Sequence, residues 1–171
     1  MPSDNAALPI IVMGVSGAGK STIGSRLAKK LGARFRDADE FHPQANVAKM
    51  ASGQPLNDED RRPWLAAIAA WLKACGEAGQ PALVTCSALK RAYRDELRNG
   101  AGQLRFVFLK GPFEVIAERV ARRRNHFMPP ALLRSQFDAL EEPGGDELAL
   151  VVDATLPPGR IVRELAEELS A

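Results

Sequence analysis

The sequence predicts an α/β fold, with five parallel strands in a middle layer and helices on both faces. Two observations carry this expectation. Short apolar runs of strand length alternate with stretches of helical spacing along the whole chain, the pattern of a parallel sheet buried on both sides. A glycine-rich loop, Gly14-Val15-Ser16-Gly17-Ala18-Gly19-Lys20-Ser21, joins the first such run to the first helical stretch. Its G-x-x-x-x-G-K-[ST] form is that of a phosphate-binding loop. The 171 residues, 46% hydrophobic and 26% charged, suit one globular domain over 1–171 with a sizeable core. No repeat, low-complexity tract or linker divides it.

The first strand is the buried run Ile-Ile-Val-Met at 10–13. A helix follows over 22–31, with Ile23, Leu27 and Leu31 on one face. A short strand at 34–37 leads into a polar segment. Helical spacing returns over 58–74, with Trp64, Leu65, Ile68, Trp71 and Leu72 as core positions. Asn57 is the expected N-cap there, and Asp58, Glu59 and Asp60 occupy the first turn, where the helix dipole favours acids. The runs at 82–85, 104–109 and 149–152 read as the remaining strands, and helices are expected at 90–97, 113–124, 130–140 and 160–169. Ligands of such sheets sit beyond the carboxyl ends of the strands.

The loop supplies the first chemistry. Gly14, Gly17 and Gly19 allow positive φ and close approach to a ligand. Successive backbone N–H groups form an anion nest, and the opening helix adds the positive end of its dipole. Lys20 reaches the β- and γ-phosphates, and Ser21 offers its hydroxyl to Mg²⁺. Gly14, Ser16, Gly17, Ala18, Gly19, Lys20, Ser21 and Thr22 are therefore the candidate nucleotide binders. Asp37 and Asp39 stand two residues apart at the end of the second strand, and in extended chain both carboxylates face the same way. Beside a phosphate loop one suits orienting Mg²⁺ through water and the other accepting the proton of an attacking hydroxyl. Capping of the helix that follows is the competing reading.

Composition narrows the classes. A net charge of +2 is too balanced for nucleic acid as the main partner. Cys75 and Cys86 have no metal-like spacing and read as reduced core thiols. No apolar run approaches a membrane span, and residues 1–8 lack a signal-peptide pattern, so a cytoplasmic location is expected.

Further along, the residues become recognisable. Asp37-Ala38-Asp39-Glu40-Phe41-His42-Pro43 is followed by Asn46, Lys49-Met50-Ala51-Ser52-Gly53, Pro55-Leu56-Asn57-Asp58, Asp60-Arg61, Pro63-Trp64-Leu65 and Cys86-Ser87-Ala88-Leu89-Lys90. Tyr93-Arg94-Asp95, Leu109-Lys110-Gly111, His126-Phe127-Met128, Ser135-Gln136-Phe137 and Leu140-Glu141-Glu142-Pro143 come later. From about residue 10 to 169 the chain resembles gluconokinase of the thermoresistant type, within the shikimate-kinase-like group of small P-loop kinases. The phosphate loop is shared by many families, whereas the His-Pro block with Lys-Met-Ala-Ser-Gly and Pro-Leu-Asn-Asp is much more selective. Ala18 replaces a Ser often found in the loop and acts through its backbone, while Asn125 replaces a Gly of some relatives.

The resemblance implies a three-layer P-loop kinase fold with a helical lid over about 119–136. It implies ATP-dependent phosphorylation of D-gluconate to 6-phosphogluconate by direct in-line transfer, with Mg²⁺ at Ser21 and, through water, Asp37. Lys20, Asp39 and Arg123 are then catalytic, with Asp39 the base. Arg119 and Arg123 are the lid arginines over the nucleotide, although cations at a helix C-terminus are favourable in any case. For gluconate, a carboxylate-bearing polyol, the candidate ligands are Asp39, His42, Lys49, Arg61, Ser87, Lys90, Arg94 and Gln136. Lys90 and Arg94, four residues apart, are expected to share a helix face. Adenine is expected against the segment after the last strand, 153–158, and a homodimer is common in the family.

Other classes fit less well. A shikimate or nucleotide kinase lacks support from the His42-Pro43 block. A GTPase-type switch needs a guanine-reading Asn-Lys-x-Asp, which is missing here. A motor or transporter ATPase needs an Asp ending an apolar strand, and the third strand ends instead in Thr85-Cys86-Ser87. A sugar-acid sensor without turnover shares every motif and differs only in activity.

Overall fold

The five expected strands pair into one parallel sheet in the order β2-β3-β1-β4-β5 in the computed structural model, which describes residues 8–123 and 129–170. The strands are β1 (Ile10–Met13), β2 (Arg34–Asp37), β3 (Ala82–Thr85), β4 (Arg105–Lys110) and β5 (Ala149–Asp153). Each lies where the apolar runs place it, within one residue at either end. β1 and β3 are buried along their whole length, as central strands of a covered parallel sheet must be. β2 is an edge strand, which explains its charged sequence Arg-Phe-Arg-Asp.

Seven α-helices accompany the sheet among the described residues: α1 (Lys20–Leu31), α2 (Gln44–Ala51), α3 (Asp58–Glu77), α4 (Arg91–Ala101), α5 (Phe113–Ala121), α6 (Pro130–Ala139) and α7 (Pro158–Ser170). Alternation along β1 divides the core. Ile10 and Val12 pack with Ile23, Leu27, Ile116 and Leu165 of α1, α5 and α7. Ile11 and Met13 pack on the other face with Leu65, Ile68 and Leu72 of α3 and Leu97 of α4. Each such fully buried aliphatic chain stabilises the fold by about 1.5–3 kcal/mol. Trp71 is only partly buried and lies at the edge of this second cluster.

Local chemistry sets the helix ends. Asn57 and Asp60 form the capping box that opens α3, each side chain taking the other's backbone N–H. α1 starts at Gly19, with φ of 100°, and stops at Gly32, with φ of 66°. Within α1, Gly24 allows the helix to lie directly on the sheet, since a Cβ there would collide with Thr85 Cγ2. The polar segment after β2 holds two elements that apolar spacing does not reveal, a 3₁₀ helix over Ala38–Phe41 and α2. Asn46 is the buried residue of α2, so the helix carries no apolar stripe to read. Cys75 and Cys86 are both buried and unbridged. No helix among the described residues is long and apolar enough to cross a membrane.

Candidate active site

Register brings the functional loops together. Thr85 at the end of β3 pairs with Val12 of β1 on one side and Asp37 of β2 on the other. The carboxyl ends of the three strands therefore open onto one cleft of about 420 Å³. Ser16, Gly17, Gly19, Lys20, Ser21, Asp37, Asp39, Ser87, Arg123 and Gln136 line it, all of them predicted site residues.

The phosphate loop forms one wall. Gly17, with φ of 84°, has no room for a side chain: a Cβ would stand 2.5 Å from Val120 Cγ2 of α5. The loop thus packs directly on the helix that leads to Arg123. Gly14 N–H donates to Ser87 O at 3.3 Å, joining the loops after β1 and β3. Lys20 Nζ donates to Gly14 O at 2.9 Å and Val15 O at 3.0 Å. Desolvation is the main cause that pulls the Lys20 ammonium down to about 8, against the opposing charges of Asp37 and Asp39. Ala18 is buried and acts through its backbone, while Thr22 is exposed on the first turn of α1.

Asp37 performs the capping that sequence offered as one alternative, and it also lines the cleft. Its Oδ1 accepts the Asp39 N–H at 2.9 Å and caps the 3₁₀ helix. Its Oδ2 accepts from Thr85 Oγ1 at 2.9 Å and Ser21 Oγ at 3.4 Å. The expectation of an extended chain through both aspartates is corrected, because the strand ends at Asp37 and the 3₁₀ helix begins at Ala38. The cleft still receives both carboxylates. Ser21 and Asp37 are hard oxygen donors beside an anion nest, a set that fits Mg²⁺ sharing its shell with phosphate and water. Among the described residues no cluster of three or more His, Cys, Asp or Glu offers an all-protein cage.

Next to the cleft, Trp64 does more than fill the core. Its indole N–H donates to Ala38 O at 2.7 Å, its ring stacks on His42 at 4.5 Å, and it lines the cleft. Burial is the main cause that holds the His42 imidazole below its usual range, opposed by the Asp39 charge and helped by that of Arg61. Asn46 Nδ2 lies 3.4 Å from His42 Nδ1 and donates to Asp60 O at 2.8 Å.

The structure does not bring His42, Lys49, Arg61 and Lys90 onto the cleft wall. Lys49 pairs with Asp60 at 2.6 Å. Arg61 Nη1 donates to Tyr93 Oη at 3.1 Å. Tyr93 Oη donates to Asp58 Oδ1 at 2.7 Å, and Lys90 lies 3.9 Å from the same oxygen. The cations are thus gathered around the first-turn acids of α3. Lys90 is the extended N-cap of α4, with φ of −100° and ψ of 144°, and so shares no helix face with Arg94.

Arg94 is a correction. It is fully buried and cannot meet a substrate. Its Nε and Nη2 donate to Glu147 Oε1 and Oε2 at 2.8 and 3.2 Å, and its Nη1 donates to Ala88 O at 2.8 Å. Sequence pattern held no signal for this partner, which lies 53 residues away in the loop before β5. Thr85 and the cleft-facing edge of Trp64 were also missed; the position of Thr85 at a strand end was the available clue.

Arg123, two residues beyond α5, and Gln136 of α6 reach the cleft. Gln136 Oε1 accepts the Ser16 N–H at 2.8 Å. Arg119 lies instead near Asp153, whose carboxyl is held below its usual range first by hydrogen bonds from Thr155 and also by the Arg119 charge. The expected lid over 119–136 includes Arg124, Asn125 and His126-Phe127-Met128, which fall outside the described residues. Cys86 lines the cleft but is no nucleophile, because burial pushes its thiol up to about 12.

Comparison with known proteins gives a consistent picture. The family model described as Shikimate kinase matches residues 16–167. A gluconokinase of Gluconobacter oxydans is 46% identical over 162 residues, covering 95% of this chain and 91% of its own. The thermoresistant gluconokinase of Escherichia coli is 47% identical over 158 residues, covering 92% and 90%. The crystal structure of a gluconokinase from Sinorhizobium meliloti superposes with a TM-score of 0.85 at 47% identity, covering 96% of this chain and 92% of that one.

Proposed function

The chain belongs to the gluconokinase family, and on that premise we propose that it transfers the γ-phosphoryl group of ATP to D-gluconate, giving 6-phospho-D-gluconate. One observation supports this reading above the others: Lys20, Ser21, Asp37, Asp39 and Arg123 line a single cleft.

The chemistry is mostly positioning and electrostatics. Loop amides and Lys20 hold the β- and γ-phosphates, and the dipole of α1 points at the same charge. Ser21 and, through water, Asp37 would hold Mg²⁺, which would supply neutralising charge to the transferring phosphates. Asp39 accepts the proton of the terminal hydroxyl of gluconate as that oxygen attacks the γ-phosphorus in line. Arg123 draws off the charge on the transferring group, with Arg119 placed for the nucleotide. Arg123 and Gln136 border the cleft and help exclude water, the competing acceptor. Ser87 offers its hydroxyl to the acceptor, and His42, Lys49, Arg61 and Lys90 are the residues proposed to hold gluconate, which requires Lys49 to leave Asp60 and Arg61 and Lys90 to leave Asp58.

The test is ADP release with Mg-ATP across D-gluconate, other aldonates, shikimate and nucleoside monophosphates. Turnover with gluconate, lost in Lys20→Ala and Asp39→Asn, is the expected outcome. Turnover confined to shikimate or a nucleotide overturns the acceptor assignment. ATP binding without turnover on any acceptor points to a sensor.

A further inference from the structure

We propose that the buried Arg94–Glu147 pair is a positioning element of the active site: it holds the turn after β3 that presents Ser87 to the cleft. The inference deepens the kinase reading and rests on it. The turn is strained. Ala88 adopts φ of +45°, a left-handed conformation that a residue with a Cβ rarely takes and that persists only where its surroundings over-determine it. The restraints come from two sides. On the cleft side, Ser87 O accepts the Gly14 N–H of the phosphate loop. On the far side, Arg94 Nη1 donates to both Ala88 O and Leu89 O, at 2.8 and 3.3 Å.

Arg94 can make those bonds only because its other edge is held. Glu147 takes Nε and Nη2 in a two-point pairing, with side-chain exposures of 0% and 1%. Glu147 is fixed in turn by Arg98 Nη2 at 2.6 Å and the Gly144 N–H at 2.7 Å. A lysine could not span this site, since one ammonium replaces a planar fork that bonds a carboxylate and two carbonyls at once. An apolar pair of similar volume would fill the same space without leaving a buried charge unpaired. What it would lose is direction: the carbonyls of Ala88 and Leu89 would have no fixed donor, and Ser87 would no longer be held at a set distance from Gly14.

Two variants test this: Arg94→Lys, and the volume-matched double variant Arg94→Met with Glu147→Leu. Both are assayed well below their own Tm, and amide hydrogen exchange over 86–90 is followed in the same preparations. The expected result is that the double variant folds, with KM for gluconate raised about tenfold and KM for ATP within about twofold of the unaltered protein. Exchange over 86–90 should accelerate in both variants. A purely structural pair would lower Tm and leave the acceptor KM unchanged. A folded double variant with unaltered acceptor KM, kcat and exchange over 86–90 overturns the proposal, and Arg94→Lys is read by the same criteria if the double variant does not fold. Should the unaltered protein use another acceptor, the split is read on that acceptor. Should it turn over none, the kinase reading fails and exchange over 86–90 alone decides the role of the pair.

Discussion

Gln136 of α6 and Ser16 of the phosphate loop, 120 residues apart in sequence, are joined by two hydrogen bonds: Ser16 N–H to Gln136 Oε1 at 2.8 Å and Gln136 Nε2 to Ser16 Oγ at 3.3 Å. An amide that belongs to the anion nest is thus in contact with the helix that follows the arginines. Gln136→Glu keeps the acceptor for Ser16 N–H but adds a negative charge beside the phosphate site. We expect KM for ATP to rise roughly tenfold or more, and less so at high salt, with little change in Tm. Steady-state kinetics at two ionic strengths checks both parts.

Lys20 should make nucleotide binding pH-dependent. Its folded value of about 8 lies below the ordinary 10.5, so the empty protein gains stability from this group as pH rises from about 8 towards 10.5. Polyphosphate favours the ammonium form and drives a proton onto Lys20. Calorimetry of ATP binding at pH 8, in two buffers of different ionisation enthalpy, should find uptake of about half a proton per site. Lys20→Met should abolish that uptake; an unchanged value would place the proton elsewhere.

The two candidate arginines, Arg119 and Arg123, should separate kinetically. Arg123 lines the cleft, whereas Arg119 lies near Asp153 at the end of β5. Arg123→Ala is expected to lower kcat roughly a hundredfold or more, with a small change in KM for ATP. Arg119→Ala is expected to raise KM for ATP with kcat largely kept. The opposite pattern would exchange their roles.

Glu147 should govern stability in acid. Desolvation pushes its carboxyl up, but hydrogen bonds from Arg94 and Arg98 outweigh this and hold it down at about 2, against 4.5 ordinarily. The contribution of a depressed carboxyl is fully present above 4.5 and is lost as pH falls towards 2. Glu147→Gln leaves Arg94 buried without a counter-charge and should cost several kcal/mol at pH 7, on the order of 3–5. Urea unfolding should show the gap to the unaltered protein narrowing by about 3 kcal/mol between pH 4.5 and 2.

The sequence by itself determined the layers, the strands and the phosphate loop, because each is set by local chemistry. A buried strand needs a contiguous apolar run, as at Ile10–Met13 and Ala82–Thr85. An anion nest needs glycines at fixed spacing, which are visible at Gly14, Gly17 and Gly19. The capping box at Asn57 and Asp60 is likewise a local pattern. Even the pairing of Asp37 and Asp39 was legible as a site, although a 3₁₀ turn rather than extended chain carries them to it.

Only the tertiary structure decided where the long polar side chains point. Arg94 and Lys90 look alike in sequence, yet one is buried on Glu147 and the other stands at a helix N-cap near Asp58. A flexible cation follows whichever carboxylate or carbonyl the fold brings near it, and that partner lies tens of residues away. The same holds for Gln136 on Ser16 and for Thr85 on Asp37. The periodicity of a helix or strand reports which face is apolar, and it carries no record of the polar partner across the fold.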